Sequence, residues 1–335
     1  MNRKYMWILP LVTIAVVLPA KWYAAFNLVD QESGFYRDGG RFVCIAAAFA
    51  LAGIVAAFLL THKEAKLPRP FTPFRSVGSG VLAALCGVSV AVQSLVGLVG
   101  WQFADGQALG GTTVMDSIFA AGGFLAAVSF LMAAYDFASG VTTLRRHPLA
   151  ALLSSVWGCI GLIALFVDYA AVANRFENIY HTFTVVFLLL FLFSQAEYLS
   201  GVDRKGGAAQ FVPYGFGAII LAVTDSLPNL ALMFAGRKTL GTFPAGLYFV
   251  NLVIAAYIAV YLSAFRKQER PEMLAAAPVP AAKLRGGDEQ APQKREESGA
   301  VLDDCLRFLE GAYPGGEHFE ERPGHPAFPS EKTES

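Results

Sequence analysis

Long apolar runs separated by short polar connections organise most of this chain. Eight runs approach the 20 or so residues that about 30 Å of hydrocarbon requires of a helix. They fall at about 5–26, 42–60, 77–100, 117–138, 150–172, 182–199, 214–235 and 243–265. The runs are continuously apolar and lack period-two alternation, so they predict helices and not the strands of a barrel. The expected fold class is all-α: a polytopic transmembrane helical bundle over 1–265, followed by a largely disordered tail over 266–335.

The first run follows Arg3 and Lys4 and in that respect is like a secretory signal peptide. It is long for one, and it ends in Ala20-Lys21-Trp22-Tyr23 where a cleavage site would need small residues. Trp and Tyr at that depth suit a membrane interface, so it is read as an uncleaved first span. In the second run, Ala46, Ala50, Gly53 and Ala57 form a small-residue stripe, with Ala48, Ala52 and Ala56 in a second row. Such stripes let helices approach closely in lipid, and the second span is expected to be an inner helix.

Charge sharpens the picture. The last 70 residues carry 24 charged side chains, whereas the first 265 carry 28. So sparse a charge cannot keep a folded body of this size soluble in water. Alternate connections also differ. The N-terminus, the even-numbered connections and the segment after the eighth run hold 13 Lys and Arg, against 6 in the others. Cations mark the cytoplasmic side. Both termini are therefore expected in the cytoplasm, and the short loops suit a bacterial cytoplasmic membrane.

Several chemistries drop out. With 26 basic and 26 acidic side chains there is no basic face for nucleic acid. Cys44, Cys86, Cys159 and Cys305 have neither disulfide-framework nor zinc spacing, and His62, His147, His181, His318 and His325 are scattered. No catalytic motif of a hydrolase, metalloprotease or P-loop protein is present. No enzyme activity, metal or cofactor is expected. In the tail, Val301, Cys305, Phe308, Leu309 and Ala312 share one helical face, predicting a short amphipathic helix over 301–312. Its acidic polar face favours a protein partner over anionic lipid.

Ionisable groups inside spans need a reason, because each costs about 2.5–3.5 kcal/mol on insertion scales. Asp136 and Glu197 lie near span ends, where they are expected to reach headgroups or to pair with nearby cations, Arg145 or Arg146 for Asp136 and Arg204 or Lys205 for Glu197. Asp168 is expected to pair with Arg175 near the other face. The segments around Asp136 and Glu197 also echo each other at an offset of 61, each running into Ser-Gly-Val, which raises the idea of a parallel repeat.

Asp225 lies near the midplane of the seventh run. Thr224, Ser226 and Asn229 surround it, and Pro228 is expected to break the helix. Gln93 and Asn251 are the expected partners from neighbouring spans. These seven residues are the candidate intramembrane polar site. Only one deep charge is visible in the sequence. The expectation is therefore a membrane anchor, sensor or assembly component acting through cytoplasmic loops and tail. The alternative is a small-solute or ion transporter with its site at Asp225 and the Pro228 break.

Overall fold

The computed structural model describes residues 7–30, 35–62, 75–99, 114–171, 176–201, 210–241 and 244–275, without the side chains of 62, 168–171, 245 and 266–275. The first of two compact units is Met1–Ala276, and the second, Ala277–Ser335, lies outside the described residues. The amphipathic segment 301–312 falls there too.

Among the described residues, nine α-helices follow one another in the first unit: α1 (Ile8–Tyr23), α2 (Arg41–His62), α3 (Val77–Val99), α4 (Val114–Ser139), α5 (Thr143–Arg146), α6 (Pro148–Ala171), α7 (Phe176–Ser200), α8 (Phe211–Phe234) and α9 (Ala245–Ala275). A π-helical turn, Ala24–Leu28, prolongs α1. All but the one-turn α5 carry a stretch long and apolar enough to cross a membrane, giving eight spans. The protein is a multi-pass helical membrane bundle.

The distribution of residue types fits lipid as solvent. Leu59, Leu149, Phe166 and Val99 point outward, while Ala, Ser and Gly line many of the helix contacts inside. Water would penalise that outer surface, but hydrocarbon does not. Six spans close a ring, in the order α3, α4, α6, α7, α8, α9 and back to α3, and α1 and α2 pack against the outside of α8. α8 is accordingly the most buried span.

α2 is therefore peripheral and not inner. Its stripe of Ala46, Ala50, Gly53 and Ala57 is buried, but Ala48 and Ala52 face outward beside Phe49 and Leu51. One small-residue face suffices to seat it. At Gly53 an added Cβ would run into the Thr13 side chain of α1.

Helix ends are set by local chemistry. Asp38 accepts from the amides of Gly40 (3.0 Å) and Phe42 (2.9 Å) at the start of α2. Those amides hold its carboxyl below the usual range, the Phe42 bond contributing most. The echo 61 residues apart is a shared helix stop: Gly140 and Gly201 both take positive φ, at 76° and 68°. The turn at Gly140 brings α5 back over the end of α4. There Asp136 accepts from the amides of Thr143 (2.9 Å) and Leu144 (2.8 Å). Its carboxylate thus caps a helix start, a correction to the expected pairing with Arg145 or Arg146. A one-turn helix leaves its first amides exposed, and a buried carboxylate satisfies two of them.

Gly53→Val should lower stability by about 1–3 kcal/mol through overpacking. Thr13→Ala in the same chain should recover most of that loss, read by thermal unfolding in detergent. Asp136→Ala should cost about 1–2 kcal/mol by the same assay.

Candidate functional site

α7 begins at Phe176, six residues before the expected start of that span. The added turn and a half carries Glu177, Asn178, Tyr180 and His181, all buried. Lys21 near the end of α1 and Tyr36 in the α1–α2 connection converge on it. Lys21 is 2% exposed and Glu177 4%, and the Lys21 Nζ donates to Glu177 Oε2 at 2.9 Å. The Tyr36 hydroxyl donates to Glu177 Oε1 at 2.5 Å. Burial first, and then the carboxylate beside it, push the Tyr36 phenol far above its ordinary range, so it remains a donor.

The chain of contacts continues inward. The Lys21 ammonium lies 3.5 Å from the centre of the Tyr180 ring, a cation–π contact. The Tyr180 hydroxyl meets Thr224 Oγ1 on α8 at 2.6 Å. Thr224 Oγ1 donates to the carbonyl of Ile220 at 2.7 Å, so the phenol is the donor in that pair.

Asp225 follows at once in sequence. It is 1% exposed, and its Oδ2 lies 2.5 Å from His181 Nδ1. A carboxylate can only accept, so an ionised Asp225 requires the proton on Nδ1. The His181 ring packs edge-on against Tyr248 of α9, with centroids 5.4 Å apart.

Of the seven residues read from the sequence, five share one stretch of α8 and two lie elsewhere. Thr224, Asp225, Ser226, Pro228 and Asn229 are all buried on α8. Gln93 of α3 lies against Gly246, where an added Cβ would overlap its side-chain amide. Asn251 of α9 lines a hollow facing α4, α6 and α7. The structure gives the Asp225 carboxylate a different partner, His181.

The helix break expected at Pro228 is also absent: α8 runs continuously from Phe211 to Phe234. Pro228 frees the Thr224 carbonyl, and the neighbourhood is reinforced from Asn229. The Asn229 Nδ2 donates to the Asp225 carbonyl at 2.9 Å, and its Oδ1 accepts from the Leu240 amide at 2.9 Å. Side-chain donors of this kind let a transmembrane helix tolerate proline. The side chain of Asp168 and the whole of Arg175 lie outside what is described, as do Arg204 and Lys205.

Lys21, Glu177 and His181 were missed because each looked unremarkable in isolation. Lys21 and Glu177 are 156 residues apart, and no periodicity links them. A signal was nevertheless present. Asn178, Val185 and Leu192 recur at seven-residue spacing, so the helical face of the apolar run extends back into the polar segment.

Among the described residues, no three His, Cys, Asp or Glu side chains gather as a metal site would require. The arrangement instead suits two tasks: holding helices in one register and placing a titratable pair deep in the bundle. No family model, curated protein or solved structure matches this chain.

Glu177→Gln leaves a buried ammonium without a counter-charge and should cost about 3–5 kcal/mol. The double variant Lys21→Met with Glu177→Leu should be more stable than Glu177→Gln, because it removes both charges together. Thermal unfolding in detergent reads both.

Proposed function

We propose that this multi-pass membrane protein is a membrane sensor or assembly component. In this reading the polar network sets the packing of α7, α8 and α9, and the segment beyond α9 delivers the output. One observation carries it. α9 places Tyr248 on the His181 ring at one end and continues as a single helix to Ala275 at the other. Its 31 residues span about 46 Å, well beyond the hydrocarbon thickness. A rigid helix of that length transmits a tilt at one end to the other.

In this reading the excess of Lys and Arg in alternate connections marks the cytoplasmic side, so the tail end faces the cytoplasm and the network end lies outside. Tyr36 and Leu240 then join outer connections to the buried groups. A shift in those connections would reach Asp225 through Glu177, Lys21, Tyr180 and Thr224.

The second reading is a small-solute or proton-linked transporter centred on Asp225. The grouping of Lys21, Glu177, His181 and Asp225 inside the spans favours it. The 1% exposure of Asp225 and the continuity of α8 through Pro228 favour the first.

Limited trypsinolysis separates the two readings. Cleavage at Arg266, Lys267 and Arg270 in the α9 extension should accelerate several-fold in Tyr248→Ala and in Asp225→Asn. Vesicles loaded with the pH dye pyranine should acidify no faster with the protein than without it. Faster proton entry that Asp225→Asn abolishes would instead establish the transporter.

A further inference from the structure

A second feature lies apart from the charged network. Between α4, α6, α7 and α9 is a hollow lined by Phe119, Trp157, Leu165, Leu188, Leu192 and Asn251, among others. Phe119 and Trp157 stack at 5.6 Å and form one wall. On α9, Leu247, Asn251 and Ile254 recur at helical spacing and present one face to it.

Two glycines of α6 hold the neighbours close. An added Cβ at Gly158 would sit 3.0 Å from Leu189 Cδ1, and one at Gly161 would sit 3.2 Å from Phe119 Cε2. Gly158, Val185 and Leu189 are half-buried, so the seam between α6 and α7 is the side open to lipid.

The decisive group is Asn251. It is 6% exposed, and its Nδ2 has no hydrogen-bond partner among the described residues. A buried amide donor left unmet is expensive, and such groups call for a partner. Water is a poor candidate, because a buried water needs two to four polar partners and the rest of this lining is hydrocarbon and aromatic ring apart from the Trp157 indole N–H, which lies toward Gly123 of α4. The hollow measures about 40 Å³. On that scale one water needs about 10–15 Å³, so the enclosed part holds a group of about three or four heavy atoms, and anything larger extends through the open side into lipid.

We propose that this hollow binds a membrane-soluble small molecule: a compact apolar group bearing a carbonyl oxygen that accepts from Asn251 Nδ2. The ligand enters from the bilayer through the α6–α7 seam. Its apolar body packs on Trp157, Leu188 and Leu192, and any tail remains among the lipid chains. This proposal stands on the hollow and Asn251, and it is independent of the sensor reading.

The test uses the full chain in lipid nanodiscs with benzophenone, an apolar ketone that attaches to nearby C–H bonds under ultraviolet light. Labelled peptides are mapped by mass spectrometry. In the wild type, labelling of α6, α7 and α9 around the hollow should saturate with benzophenone concentration. Asn251→Leu keeps the volume but removes the donor, and should raise the half-saturating concentration about tenfold. Val185→Phe narrows the mouth and should abolish the saturable component, which keeps the test decisive if Asn251→Leu fails to fold.

Size-exclusion chromatography confirms that each variant remains folded. Labelling that rises linearly and spreads evenly over lipid-facing positions such as Leu59 and Val99 would overturn the site. Saturable labelling unchanged in a folded Asn251→Leu would overturn the carbonyl assignment.

Discussion

A charge buried in a hydrocarbon environment must find its counter-charge within the protein. That constraint governs the arrangement of α1, α7 and α8. Lys21 and Glu177 are each almost inaccessible, and neither is tolerable without the other. Their bond fixes the end of α1 against the start of α7. Tyr36 satisfies the second carboxylate oxygen, and the Tyr180 ring covers the ammonium. Any relative slide of α1 and α7 breaks several of these contacts together. The network therefore specifies register more sharply than apolar packing could, because one apolar surface slides past another with little penalty in lipid.

The rest of the bundle divides the labour. Close approach comes from small residues, as where Gly53 meets Thr13 and Gly80 meets the backbone of α4. Bulk comes from an aromatic cluster toward the opposite end of α9. There Tyr257 and Tyr261 pack against Phe130, Phe137, Phe191 and Phe211, and Gln195 donates to the Tyr257 hydroxyl at 2.7 Å. α9 thus has polar contacts at its start and aromatic packing farther along. A helix anchored in both ways moves as a unit.

The eight spans were legible in the sequence because hydropathy over 20 residues integrates a strong signal, and lipid leaves few alternatives to a helix. Asp225 stood out for the same reason, as a lone acid in an apolar run. Its partner did not, because His181 falls in a segment whose Glu, Asn, Tyr and His depress local hydropathy and shorten the apparent span. Lys21 stands beside Trp22 and Tyr23, two residues that by themselves mark a membrane interface. Only the three-dimensional packing of α1 on α8, with α7 beside it, makes these groups neighbours. The small-residue stripe of α2 correctly marked a packed face. It did not reveal that the opposite face meets lipid, since alanine serves either environment.

Pro228 illustrates the limit of a local rule. Removing one amide predicts a break at the Thr224 carbonyl. In α8 the next residue, Asn229, supplies a side-chain donor to the neighbouring Asp225 carbonyl and accepts from Leu240 in the following connection. The helix therefore stays continuous, and the backbone beside Asp225 is tied to the α8–α9 connection. A discontinuous helix would open carbonyls to a passing ion. In the continuous α8 the amide missing at Pro228 frees the Thr224 carbonyl, and the Asp225 carboxylate meets His181. The proline that singled out this stretch in the sequence thus belongs, in the fold, to a braced segment of backbone beside the Asp225–His181 pair.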